Sequence, residues 1–385
     1  MPEMLWDDKL AGGKSELELL VYRSNLLGAD RSVCNIYGGN TGTKADERDF
    51  RGRVVHALWV KGSGSDLASM QAKDFCGLLL EDVLPLLERS DLTDAEMVAY
   101  LSHCYLGINM PRQSIEALLH AFVPAAHTDH THPDAVISIA CAANGRTLAH
   151  EIYGERMAWV DYVRPGFALS RQIGKAVRDN PRVECVVMGK HGLVTWGTAH
   201  KATYAHTIAT IQKAQDFIAD RAKGRVVFGP ARRVALPAAQ RREMAAQLMP
   251  LLRGTAAAAS QPYSRSILHW DDSNAVLDFA GSERAQELAM VGAACPDHLV
   301  HTKHLPLFIE WDPAGGMDAL LARARAALPE FSTAYRAYFN AHAAAGDAMF
   351  DPAPRVVLVP GLGCATTSSA SGRSWMRWPR TGRCW

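Results

Sequence analysis

The chain has almost no charge bias: 41 basic residues stand against 40 acidic ones, a formal net charge of +1. So balanced a surface offers no electrostatic footing for nucleic acid or an anionic membrane, and neither is expected as a partner. No apolar run is long enough to span a bilayer. The first ten residues carry Glu3, Asp7, Asp8 and Lys9 where a secretory leader needs apolar ones, so none is expected there. The eight cysteines contain no C-x-x-C pair and are scattered along the chain, which reads as buried thiols of a reducing, cytoplasmic compartment. The glycine-rich stretches lack the P-loop signature. Gly62-Ser63-Gly64 also fails as a dinucleotide fingerprint, because Leu67 stands where the third glycine belongs.

What is present suits a globular chain of two domains: 385 residues, 48% hydrophobic and 21% charged. Residues 15–28 read as a helix with Leu17, Leu20, Val21 and Leu27 on one face. Asn35 to Thr43 is a glycine-rich turn. Val54–Lys61 reads as a strand running into the small-residue loop 62–66. A helix is expected from about Ala72, a second from the capping box Thr93-x-x-Glu96, and a third over 114–122. Residues 135–141 read as an apolar strand, 166–178 as a helix, 183–188 as a buried strand, 193–196 as a short strand and 199–223 as a long helix. Further on, 226–262 reads as a helical linker and 263–363 as a small α/β region, its 317–342 helix breaking at Pro329. Residues 364–385 lose all apolar periodicity and read as an aberrant or disordered tail.

The chemistry concentrates at His130-Thr-His132. Two histidines at i and i+2 share one face of an extended segment, and Pro133 biases His132 towards extended backbone. Paired neutral imidazoles are half of a divalent metal site, and catalytic zinc commonly takes three protein ligands. His191, between Lys190 and Gly192 at the mouth of a buried strand, is placed to meet them. Glu116 opens a helix and supplies a carboxylate. His127 is three residues from His130 and faces the other way; Asp129 could orient an imidazole. The run Cys295 to His304 fits no metal-ligand spacing and reads as structural.

Four motifs stand in order: Gly39-Asn40-Thr-Gly42, Lys61-Gly-Ser63-Gly64, Ser114-Ile-Glu116, and His130-Thr-His132 with His191-Gly192. This set resembles the class II aldolase/adducin family over residues 15–225. The wording of residues 127–136 and 295–303 is similar to the aldolase half of bifunctional rhamnulose-1-phosphate aldolase/short-chain alcohol dehydrogenases. The resemblance implies an α/β fold, a mainly antiparallel sheet flanked by helices. It implies zinc on His130, His132 and His191, and Glu116 as catalytic carboxylate. Phosphate contacts would fall on Asn40, Gly42, Ser63, Gly64 and Ser114, and a tyrosine as second acid points to Tyr153. It further implies a sugar-phosphate substrate, cleavage of L-rhamnulose 1-phosphate, and a homotetramer. Because the chain stops before any dehydrogenase half, no NAD is expected. The rivals on such a sequence are a 4-epimerase or fuculose-phosphate aldolase, and a non-catalytic module like adducin's head.

Overall fold

The structure is a computed structural model that describes residues 2–259, 266–344 and 346–369. The chain divides into two compact units, Met1–Lys223 and Gly224–Trp385.

The first unit is built on a seven-stranded sheet. Its strands are β1 (Asn40–Arg48), β2 (Val54–Lys61), β3 (Phe75–Leu79), β4 (His127–Thr131), β5 (Met157–Val160), β6 (Cys185–Met188) and β7 (Gly192–Gly197). They lie in the order β3-β2-β1-β4-β7-β6-β5, antiparallel throughout except for the parallel pair β5–β6. The period-two alternation of strand side chains divides the core into two layers. Val187 and Leu193 pack with Ile139, Tyr204 and Ile208, from the Asp134–Ala140 and His200–Ala222 helices. Their strand neighbours Val186, Met188 and Val194 pack on the opposite side with Leu119 and Ile173, from the Ala117–Phe122 and Phe167–Asp179 helices. The sheet is therefore a mixed, mainly antiparallel one flanked by helices, and each fully buried Leu, Ile or Val in these layers contributes about 1.5–3 kcal/mol.

Local signals place several elements. Ser15 and Glu18 form a reciprocal capping box that starts the Glu16–Ala29 helix, and Thr93 and Glu96 do the same for Asp94–His103. The strand expected over 54–61 is β2 itself. Two expectations fail in this unit. The helix expected from Ala72 is a 3-10 turn followed by strand β3, because Phe75 to Leu79 pair with β2 from Lys61 to Ala57. The strand expected over 135–141 is the Asp134–Ala140 helix, because both ladder edges of β4 are already taken by β1 and β7.

The second unit has its own four-stranded sheet, order β8-β11-β10-β9, from β8 (Ser266–Asp271), β9 (Leu307–Phe308), β10 (Val356–Val359) and β11 (Gly363–Ser369). Val357 and Val359 face the Ala238–Ala259 and Gly316–His342 helices through Leu248, Leu252, Leu320 and Leu328. Val356 and Leu358 face Val276 and Phe279. The 238–259 helix thus builds this core and is no mere linker. The long helix runs through Pro329 without ending. The tail expected over 364–385 is contradicted in its first six residues. Gly363–Ser369 is a strand between β8 and β10, with Cys364 and Ala365 fully buried, and residues 370–385 lie outside the described residues. Pro360 to Gly363 is the tight turn of that β10–β11 hairpin, Gly361 taking a φ of 74°. In the run 295–304, Pro296–Thr302 is helical and His304 stacks on Tyr338 with ring centroids 4.0 Å apart. No helix among the described residues is long and apolar enough to cross a membrane.

Candidate active site

The site lies on the first unit's sheet, on the side covered by the Ala117–Phe122 helix. Asn40 on β1 pairs in register with His130 on β4, so their side chains emerge together. The β6–β7 hairpin, tightened by Lys190 at a φ of 56°, delivers His191. The imidazoles of His130, His132 and His191 meet at ring-centroid distances of 4.6, 5.0 and 5.1 Å, all edge to face. All three rings are buried, with His132 Nε2 2.8 Å from His130 Nε2. Glu116 closes the group: its Oε2 is 3.4 Å from His130 Nε2 and its Oε1 3.3 Å from His191 Nε2. Glu116 stands just ahead of its helix, at the N-cap position, and so escapes the first turn expected of it.

The donor set fits a divalent cation. The three histidines each offer one nitrogen, all within 4.8 Å of one another. His130 Nδ1 is 3.0 Å from the carbonyl oxygen of Leu193, which only accepts; the proton therefore sits on Nδ1, and Nε2 keeps a lone pair. Burial pushes the Glu116 carboxyl up, but the imidazoles of His130 and His191 outweigh it and hold the group well below the usual carboxylate range. A buried carboxylate held in its charged form beside three buried imidazoles is chemically suited to acid–base work next to a bound cation.

Around Glu116 the polar contacts continue. Asn40 Nδ2 donates to Glu116 Oε2 at 2.8 Å and lies 3.4 Å from Ser114 Oγ, which in turn accepts from the Glu116 amide at 3.3 Å. His120, fully buried, places its Nε2 2.5 Å from Asn40 Oδ1. Burial and then the charge of His130 drive the His120 imidazole well below its ordinary pKa, so it is neutral. The sequence reading passed over His120, although it stands four residues after Glu116.

The expected phosphate contacts divide. Ser63 and Gly64 sit exposed in the loop after β2, Gly64 at a φ of 81° with open space where a Cβ would be. The amides of Gly62 and Ser63 are already taken by the carbonyls of Asp74 and Arg112, so the loop offers less backbone than its glycines suggest. Ser114 joins that loop, its amide donating to the Lys61 carbonyl at 3.0 Å. Gly42 does not belong with them. It lies inside β1, paired to Val60 and Thr128, and a Cβ there would come within 2.7 Å of His120 Nδ1. Its bareness makes room for an imidazole.

Tyr153 is not brought to the cluster by any described contact. Its hydroxyl donates to the carbonyl of Thr210 at 3.0 Å, and burial pushes the phenol up from its ordinary pKa. Tyr153→Phe is therefore expected to cost about 1–2 kcal/mol of stability in a denaturant titration and to leave turnover within about twofold.

Asp129 and His127 project to the opposite side of β4, so the prediction that His127 faces away holds. Asp129 orients no zinc-type histidine. It pairs with Arg23 at 2.9 Å, both side chains at 0% exposure, and accepts from Thr207 at 3.0 Å. Arg23 also donates to His200 Nδ1 at 2.8 Å, so the His200 proton sits on Nε2, 3.1 Å from Glu16 Oε2. Glu16, His127 and His200 form a second group of potential ligands, but that tautomer leaves His200 no lone pair towards it.

Burial and Arg23 push the His127 imidazole down to about 4, and burial and Arg23 likewise lower His200. Both rings are neutral in the fold and must charge when the unfolded chain is favoured. The His127 contribution is complete above an unfolded value near 6.5 and is lost as pH falls towards 4, and the His200 loss continues to lower pH. The denaturant midpoint is expected to drop between pH 7 and pH 4.5, and the His127→Gln variant to show a shallower drop.

The family profile described as class II aldolase and adducin N-terminal domain matches residues 18–217, and that described as aldolase class II, second domain, matches 243–374. The chain belongs to the class II aldolase/adducin family. Its fold and buried histidine/glutamate cluster are consistent with the active site of a metal-dependent lyase. It is 48% identical over 376 residues to the "Uncharacterized oxidoreductase YuxG" of Bacillus subtilis (strain 168), covering 97% of this chain and 54% of that protein. The chain thus spans about half the length of that relative. A solved N-terminal class II aldolase domain of a conserved protein from Thermoplasma acidophilum is 32% identical. It covers 56% of this chain and 99% of its own, with a TM-score of 0.53.

Proposed function

We propose that this chain carries out zinc-dependent aldol cleavage of a ketose 1-phosphate, with L-rhamnulose 1-phosphate as substrate and dihydroxyacetone phosphate and L-lactaldehyde as products. The observation that carries the reading is the convergence of His130, His132 and His191 on one point with Glu116 beside them. An adducin-like interaction module has no use for such a buried set. His130, His132 and His191 would hold the metal. Zinc, when bound, supplies Lewis acidity worth several kcal/mol to the charge that develops on the ketone side as the carbon–carbon bond parts.

The chain's own residues do the rest. Leu193, through its carbonyl, keeps the His130 ring turned with Nε2 inward. Glu116 moves the proton at the carbon next to the carbonyl, giving it up in cleavage and taking it back in condensation. Ser63, Gly64 and Ser114 anchor the phosphate, so that binding energy spent there aligns the reacting carbons. The acid that serves the aldehyde oxygen comes from outside the described contacts, since Tyr153 is tied to Thr210. A homotetramer in which a neighbouring subunit supplies it belongs to the same reading.

The test is product analysis on zinc-loaded protein. Release of dihydroxyacetone phosphate from L-rhamnulose 1-phosphate is expected. A change of sugar configuration without triose phosphate would replace the reading with an epimerase.

A further inference from the structure

The Ala117–Phe122 helix buries every one of its residues, and all but His120 are Ala, Leu or Phe. A leucine at 120 would suit that packing. The histidine instead leaves its Nδ1 buried with no hydrogen-bond partner among the described residues, a cost that a purely structural position has no reason to bear.

What the histidine provides is one rigid N–H. Asn40 Nδ2 lies 2.8 Å from Glu116 Oε2 and donates to it, so the Asn40 atom facing the carboxyl group is the amide nitrogen. Asn40 Oδ1 then faces His120 Nε2 at 2.5 Å, and that nitrogen carries the proton. Gly42 makes the arrangement possible, since any side chain there would strike the imidazole at Nδ1 and Cγ, 2.7 and 2.8 Å from an ideal Cβ. The chain of donors therefore runs His120 to Asn40 to Glu116.

We infer that His120 is a positioning residue for Glu116: it locks the Asn40 side-chain amide so that its N–H, and never its carbonyl, is presented to the Glu116 carboxylate. This rests on the proposed role of Glu116 as the proton-moving group. It also reassigns Asn40 from the phosphate to the carboxylate, because both ends of its amide are engaged within the chain. The group that His120 acts on lies outside the metal's own ligands. Its loss is therefore expected to leave zinc binding alone and to strike the chemical step.

The experiment compares wild type, His120→Leu and His120→Gln, all zinc-loaded. Glutamine can place its amide nitrogen where the histidine Nε2 stood, and leucine cannot. For His120→Leu, kcat for triose-phosphate release should fall about tenfold to a hundredfold with KM and zinc content unchanged, the cost typical of a misplaced catalytic group. His120→Gln should recover most of the rate. A His120→Leu enzyme of wild-type kcat, or a loss shared equally by KM and zinc content, overturns the inference. If the wild type itself releases no triose phosphate, the aldolase reading fails and a crystal structure of His120→Leu decides the inference alone. A displaced Asn40 side chain supports it, and an Asn40 still seated 2.8 Å from Glu116 overturns it.

Discussion

Glu116→Gln is expected to lower kcat for aldol cleavage about a thousandfold, within the range for removing a positioned general acid–base group. The substitution keeps the shape of the side chain and an oxygen able to accept from Asn40, while removing the charge and the capacity to carry the proton. Zinc content should stay at the wild-type level, because the proposed metal nitrogens belong to His130, His132 and His191. Exchange of the carbon-bound proton of dihydroxyacetone phosphate with deuterated water, followed by proton NMR, isolates the step and should fall in parallel. A variant within tenfold of wild type in both assays would remove Glu116 from the chemistry.

His132→Ala is expected to do the most damage to metal binding. Zinc in four-ligand peptide sites is held by about 10–16 kcal/mol, so one ligand is worth about 3 kcal/mol, roughly a hundredfold in affinity. Chelator competition at neutral pH reads that loss directly, and turnover at limiting zinc should fall to background. The fold should survive. His132 lies beyond the end of β4 and takes no place in a strand ladder, so a two-state denaturation curve close to wild type is expected from the metal-free proteins. An unchanged zinc affinity would exclude His132 as a ligand.

Much of this site was legible in the sequence because its ligands come in local pairs and at strand mouths. His130 and His132 announce each other by the strand period, and the glycines around His191 mark a hairpin. The capping residues Ser15 and Thr93 mark helix starts by chemistry that acts within four residues. What escaped depends on distant partners. Asp134–Ala140 buries Ala135, Val136, Ile137, Ile139 and Ala140, a run so apolar that no single periodicity stands out in it. Phe75–Leu79 became a strand because β2 had a free edge to fill. Gly363–Ser369 has tail-like composition, yet its backbone completes a ladder between β8 and β10.

The same distinction separates the site residues. His120 carries no local mark, and its meaning lies in Asn40, eighty positions earlier in the chain. Arg23, a basic residue on the Glu16–Ala29 helix, is fully buried because Asp129 and His200 receive it. Gly42 looked like a phosphate-loop glycine and proves to be the floor beneath an imidazole. Tyr153 was singled out by its neighbourhood in the sequence, and its hydroxyl is spent on the Thr210 carbonyl.

Zinc K-edge X-ray absorption on protein loaded to stoichiometry reads the proposed three-histidine metal centre itself. About one zinc per chain is expected, with three imidazole nitrogens at about 2.0–2.1 Å and the remaining coordination oxygen. A sulfur shell near 2.3 Å, or a folded protein that retains no zinc after gel filtration, would contradict it.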